Sequence, residues 1–138
     1  DYRLSNCMVD DDGHVVAVLD WELCTLGEPM ADLGGLLGYW HDPAETDPTG
    51  DSETTGLAGF LTQEEIADLY SEGSGVAKDS INYYRAFAQW RLACIAEGVY
   101  ARYLAGQQGD QDEDIDLERM NASVGERAER AAQLLGMI

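Results

Sequence analysis

Apolar residues recur at two different spacings along this chain, and the spacing predicts which element each stretch forms. Between Cys7 and Leu19 the pattern reads apolar, turn, apolar: Cys7-Met8-Val9, then Asp10-Asp11-Asp12-Gly13, then Val15-Val16-Ala17-Val18-Leu19. β-Branched residues suit a pleated surface and Asp-Gly suits a tight turn, so this stretch predicts a β-hairpin. Further on, the apolar spacing becomes helical. Pro29 sits where a first helical N–H needs no partner, and the helix it opens carries Met30, Leu33, Leu36, Leu37 and Trp40 inward. Thr62-Gln63-Glu64-Glu65 reads as a capping box, and it predicts a short helix through Tyr70 that Gly73-Ser74-Gly75 ends. The longest helix is expected from about Asp79 to Gln107, with Tyr84, Phe87, Ala88, Leu92, Ile95, Val99 and Tyr103 on an apolar face wide enough to be the spine of the domain. A last helix, about Ile115 to Leu135, places Leu117, Met120, Val124, Ala128, Ala131 and Leu135 on one side, with Gly136 as its stop.

The segments between are polar. His41 to Gly59 is rich in Asp, Pro, Thr and Gly and reads as a surface loop, the best candidate for a substrate-side insertion. Gln108 to Asp114 is acidic and reads as a second loop. No internal repeat is visible, so the order is one hairpin followed by four helices, a mainly helical α+β chain. At 138 residues it fits one domain with one core. The apolar share of 45 %, with Trp21, Trp40, Trp90 and seven tyrosines, predicts a folded chain.

Charge narrows the partners. Eight basic against twenty-seven acidic residues give a net charge of −19, a field that repels phosphate backbones and anionic membrane surfaces. Nucleic acid and membrane are therefore excluded as expected partners. Lys78 is the sole lysine, and seven arginines carry the other positive charges. Cys7, Cys24 and Cys94 lack any C-x-x-C spacing, so neither a zinc site nor a disulfide framework is indicated and reduced thiols in a cytoplasm are expected. Apolar runs are far shorter than the ~20 residues of a membrane helix.

The chemistry concentrates in the first 32 residues. Asp1 and Asn6 stand in D-x-x-x-x-N spacing, and Asp20 follows the apolar strand Val15 to Leu19. Phosphoryl transfer asks for a carboxylate that orients the attacking hydroxyl and takes its proton, and for oxygen ligands that hold magnesium on the nucleotide phosphates. An Asp, an Asn and a second Asp can supply all three, and a hard cation prefers Asn6 and Asp20 to His14 or the cysteines.

Asp1-Tyr2-Arg3-Leu4-Ser5-Asn6, Val18-Leu19-Asp20-Trp21-Glu22 and Gly27-Glu28-Pro29-Met30-Ala31-Asp32-Leu33 together resemble the aminoglycoside phosphotransferase family, related to choline kinases and protein kinases. Within it the chain is similar to phosphotransferase-like domains found alone in actinobacteria or fused to acyl-CoA dehydrogenases. The resemblance implies a protein-kinase-like fold, of which residues 1–138 would be the mainly α-helical C-terminal lobe, with a β-hairpin carrying the metal site. It implies Asp1 as catalytic base, Asn6 and Asp20 as magnesium ligands, and Asp32 as support for the catalytic loop, with ATP as phosphoryl donor. Glu28 replaces the family's aspartate before proline, which weakens a helix cap by about 1 kcal/mol if it is the N-cap. The family's Gly-rich loop, nucleotide-contacting lysine and His-Gly before the catalytic aspartate are absent, so the N-terminal nucleotide lobe is expected to be a missing part of the same protein. The 138 residues alone are expected to be inactive.

Plainer readings stand beside these. Asp1 alone reads as a frayed terminal carboxylate, and Asn6 as a turn residue. Their joint spacing with Asp20 and Asp32 favours the metal reading. Glu22 either assists the metal or bonds nearby backbone. Arg3 either touches an anionic group of the acceptor or pairs with Asp32, and the structural role is preferred. His14 and His41 are expected on the surface, Cys7 and Cys24 in the core, and the tryptophans in the core. The acidic run Asp110 to Asp116 reads as a solvated loop and not as a cation site. Asp20-Trp21-Glu22-Leu23 lacks the Asp-x-Asp of aspartyl-phosphate phosphatases, which disfavours that class. The remaining alternative is a non-catalytic, kinase-like binding module. The acceptor is a small molecule bearing a hydroxyl: the subfamily implies hydroxyacyl-CoA-type compounds, the wider family aminoglycosides, choline and sugars.

Overall fold

Asp10 shows why the hairpin closes where it does. In a computed structural model that describes residues 1–43, 53–107 and 116–138, its Oδ1 accepts the backbone N–H of Asp12 at 3.1 Å and of His14 at 2.8 Å. The His14 N–H is the main reason the Asp10 carboxyl lies below its ordinary range. Gly13 completes the turn at φ +85°, a conformation that is cheap for glycine. The strands β1 (Cys7–Val9) and β2 (Val15–Val18) then pair antiparallel in the register Cys7 to Val18 and Met8 to Ala17.

Four helices follow. Helix α1 (Pro29–Gly38) begins at Glu28, which is the N-cap: its carboxylate accepts the Met30 N–H at 3.3 Å. Helix α2 (Gln63–Ser74) carries the expected capping box, since Thr62 Oγ1 accepts the Glu65 N–H at 3.2 Å and Glu65 Oε2 accepts the Thr62 N–H at 2.7 Å. Gly75 ends it at φ +74°. Lys78 then folds back onto α2, contacting Glu64 at 2.5 Å and also Asp68. Helix α3 (Ile81–Leu104) is the longest element, and α4 (Leu117–Leu134), capped by Asp116 on the Arg119 N–H at 2.9 Å, packs along it. The core joins Met30, Leu33 and Leu37 of α1 with Ala67 of α2 and Ile81 of α3.

The packed face of α3 agrees with the expected one at Tyr84, Ala88, Leu92, Val99 and Tyr103 and differs at Phe87 and Ile95. Ile81, Ala86, Ala88, Leu92 and Ala93 are buried, whereas Phe87 and Ile95 remain 41 % and 53 % exposed. The reason is how close α1 comes: a Cβ on Gly34 would lie 2.6 Å from the Tyr84 carbonyl oxygen, and one on Gly38 would lie 3.2 Å from the Ala88 Cβ. At that contact α1 offers glycines and α3 fills the space with Tyr84, Ala88 and Leu92, while Phe87 lies outside it and meets Trp90 at 5.9 Å between centroids. Trp21 is exposed too, contrary to the expected core placement. In α4, Arg127 and Ala131 are buried while Ala128 and Leu135 face out.

Two further expectations are corrected. His41 is buried at 7 % exposure, because its backbone N–H donates to the Oγ1 of Thr55 at 2.8 Å and Thr55, in the 3-10 turn Glu53–Gly56, lies across the end of α1. The same region is tied down by Gln63, whose Nε2 donates to the Trp40 carbonyl at 2.9 Å and whose backbone N–H donates to Asp42 at 2.6 Å. The stretch expected as one surface loop is thus partly structured; residues 44–52 lie outside the described residues. Cys24 is exposed, and Cys7 is only half-buried. The acidic loop lies outside the described residues except for Asp116. Among the described residues no helix is long and apolar enough to cross a membrane.

Candidate functional site

The first six residues fold back on themselves. A 3-10 turn over Leu4–Asn6, held by the Asn6 N–H on the Arg3 carbonyl at 2.9 Å, swings the Asn6 side chain toward the chain start. Its Nδ2 donates to the Asp1 carbonyl at 2.8 Å and to Asp1 Oδ2 at 3.2 Å. With the amide nitrogen so engaged, the amide oxygen is the end that a hard cation would take. Asn6 is 8 % exposed, and its carbonyl accepts the Leu19 N–H at 2.7 Å. That bond extends the hairpin register and sets Asp20 immediately beyond it.

Asp20 takes the left-handed conformation, φ 60° and ψ 53°, at the entry to the 3-10 turn Trp21–Leu23, and its side chain makes no capping bond. The carboxylate is therefore not spent on the helix end. Asp1, Asp20 and Asp32 all line one cleft of about 500 Å³, which also takes in Tyr2, Trp21, Cys24, Glu28 and Arg91. Asp32 stands in the first turn of α1, where a carboxylate is favoured by the positive end of the helix. Burial, and then the neighbouring Cys7, push the Tyr2 phenol above its ordinary range, so it stays protonated.

Arg3 turns the other way. Its Nε lies 3.5 Å from Asp1 Oδ2, and its guanidinium sits over the Tyr39 ring at 5.1 Å. Arg3 also lines a second cavity of about 520 Å³, with Leu36, Tyr39, Trp40 and Thr55. Glu22 is exposed and is not among the residues lining the cleft. His14 is exposed, 3.4 Å from Asp10.

Arg91, to which the sequence assigns no role, also lines the cleft. It brings a positive charge to a cleft lined by four carboxylates. A signal existed: its helical neighbours at three and four residues are Phe87, Ala88, Cys94 and Ile95, none of them a carboxylate, so any charged contact had to lie off its own helix.

Among the described residues no three His, Cys, Asp or Glu stand close enough to hold a metal ion by themselves. Asn6 and Asp20 offer an amide oxygen and a carboxylate. That donor set fits magnesium, which keeps water and nucleotide phosphates as its other ligands.

Comparison with known proteins places the chain in a family. A sequence model of a family described as "Phosphotransferase enzyme family" matches residues 1–69, half of the chain, and spans all the residues just placed around the cleft except Arg91. Acyl-CoA dehydrogenase family member 11 of Homo sapiens is 31 % identical over 115 residues, covering 81 % of this chain and 15 % of that protein. Acyl-CoA dehydrogenase family member 10 of Mus musculus is 40 % identical over 112 residues, 78 % of this chain and 10 % of that protein. The probable acyl-CoA dehydrogenase IBR3 of Arabidopsis thaliana is 34 % identical over 135 residues, 93 % of this chain and 15 % of that protein. The chain thus spans a small part of each of these relatives. No solved structure matches it significantly.

Proposed function

This chain belongs to the phosphotransferase enzyme family, and from that premise we propose that the protein transfers the γ-phosphoryl group of ATP to a hydroxyl of a small molecule. The observation that carries this reading is the cleft shared by Asp1, Asp20 and Asp32, together with the hydrogen bonds from Asn6 to Asp1. Asp1 orients the acceptor hydroxyl and takes its proton as the acceptor oxygen bonds to the γ-phosphorus. The bond from that phosphorus to the bridging oxygen breaks, and ADP leaves with the electron pair. Asn6 and Asp20 would hold magnesium, which would neutralise charge on the nucleotide phosphates. Asp32 supports the loop that carries Asp1. On this reading the 138 residues are the C-terminal lobe of a kinase-like domain, and the remaining nucleotide contacts come from a preceding N-terminal lobe in a cytoplasmic protein.

The test is calorimetry of ATP binding, with and without magnesium, on the protein expressed from its full reading frame. Magnesium-dependent binding is expected, and Asp20→Asn loses it. Absence of binding by the wild type, or equal binding by Asp20→Asn, overturns the proposal and leaves a non-catalytic binding module.

A further inference from the structure

Two side chains meet one oxygen of the Asp1 carboxylate. Asn6 donates to its Oδ2 at 3.2 Å, and Arg3 Nε stands 3.5 Å from the same oxygen in an ion-pair contact. The asparagine is fixed by the fold, being 8 % exposed and tied through its carbonyl to Leu19. The arginine is a long, half-buried side chain with several rotatable bonds, and such a side chain directs a carboxylate only if its own guanidinium is restrained.

The Tyr39 ring supplies one such restraint. Its centroid lies 5.1 Å from Arg3 Cζ, within the range in which an aromatic face attracts a guanidinium. Tyr39 is anchored in turn: it is the C-cap of α1, its backbone N–H is bonded to the Leu36 and Leu37 carbonyls, and α1 is seated on α3 through Gly34 and Gly38. A continuous path therefore runs from the helical core through an aromatic ring and a guanidinium to the Asp1 carboxylate.

We infer that Tyr39 is a positioning residue: through the Arg3 guanidinium it holds the Asp1 carboxylate in the direction that receives the acceptor's proton. This rests on Asp1 being the base, as proposed above. Tyr39 itself need not touch the reacting atoms. Its effect belongs in kcat and not in the affinity for nucleotide, because the nucleotide's metal ligands are Asn6 and Asp20.

The experiment is a double-mutant cycle on the full-length protein, with water as the acceptor and phosphate release from magnesium–ATP as the readout. Tyr39→Leu is expected to lower kcat by about three- to thirty-fold, the range that the loss of one cation–π contact allows, with KM for ATP unchanged. Tyr39→Phe, which keeps the aromatic face, restores turnover. In an Arg3→Gln background Tyr39→Leu has no further effect, whereas a merely structural role would lower kcat by the same factor with or without Arg3. Thermal melts accompany each variant, and Tyr39→Met replaces Tyr39→Leu in the cycle if the latter does not fold. Additive effects, or a Phe variant as slow as the Leu variant, overturn the inference while leaving the phosphotransferase reading intact. A wild type without magnesium-dependent ATP binding overturns both.

Discussion

Asp20 is the one non-glycine residue with positive φ among those described, at 60°. Aspartate tolerates this region better than most residues, yet the conformation still costs roughly 1 kcal/mol relative to glycine. A strained backbone at a residue whose carboxylate caps nothing fits a position kept for its side chain. Asp20→Gly is therefore expected to raise the melting temperature while abolishing magnesium-dependent ATP binding, and a variant that is less stable than wild type would show that the carboxylate has a structural role instead. Glu65 gives a second prediction at this scale. The Thr62 backbone N–H, and then its hydroxyl, hold the Glu65 carboxyl below its ordinary 4.5. Because the folded value is depressed, the stabilisation is full above about pH 4.5 and is lost as pH falls through the folded value. The melting-temperature difference between wild type and Glu65→Gln should accordingly be present at neutral pH and close in acid; a difference that is constant with pH would contradict the cap's ionic character.

At the scale of elements, the site depends on where α1 sits. Its N-terminal end presents Asp32 to the cleft, and its C-terminal end presents Tyr39 to Arg3. Both ends are placed by the glycine contact with α3. A methyl on Gly34 would stand 2.6 Å from the Tyr84 backbone oxygen, which cannot move without moving the helix. Gly34→Ala should thus cost about 1–3 kcal/mol in urea unfolding despite alanine's better helix propensity. Gly38 would meet only side chains, at 3.2 and 3.3 Å. There the propensity gain of about 1 kcal/mol offsets the crowding, so Gly38→Ala should be close to neutral. Equal losses at the two positions would show that α1 does not approach α3 as described.

At the scale of the molecule, the net charge of −19 acts on everything at once. Like charges repel across a compact chain more than across an expanded one, and salt screens them. The melting temperature should rise as sodium chloride is raised from about 10 mM to about 500 mM, where the screening length shortens from roughly 30 Å to under 10 Å. A falling melting temperature would mean that local ion pairs such as that of Lys78 with Glu64 and Asp68 outweigh the global repulsion. The same field opposes the approach of a nucleotide, so Arg91, inside a cleft with four carboxylates, is placed where one cation changes the local balance most.

The sequence by itself determined the hairpin, the order of the helices, the caps at Glu28 and Thr62 and the joint appearance of Asp1, Asn6, Asp20 and Asp32. Each is written in short-range signals: turn residues, capping spacing, and motifs whose members lie within a few tens of residues. Tertiary structure alone decided that Phe87 and Ile95 of α3 and Ala128 and Leu135 of α4 face out, that His41 and Thr55 are buried, that Arg91 lines the cleft and that Tyr39 lies under Arg3. Those outcomes depend on how closely helices approach and on which residues meet across long separations. Apolar periodicity says that a face exists, but the distance between Gly34 and Tyr84, set by the absence of a side chain, determines which residues that face can hold.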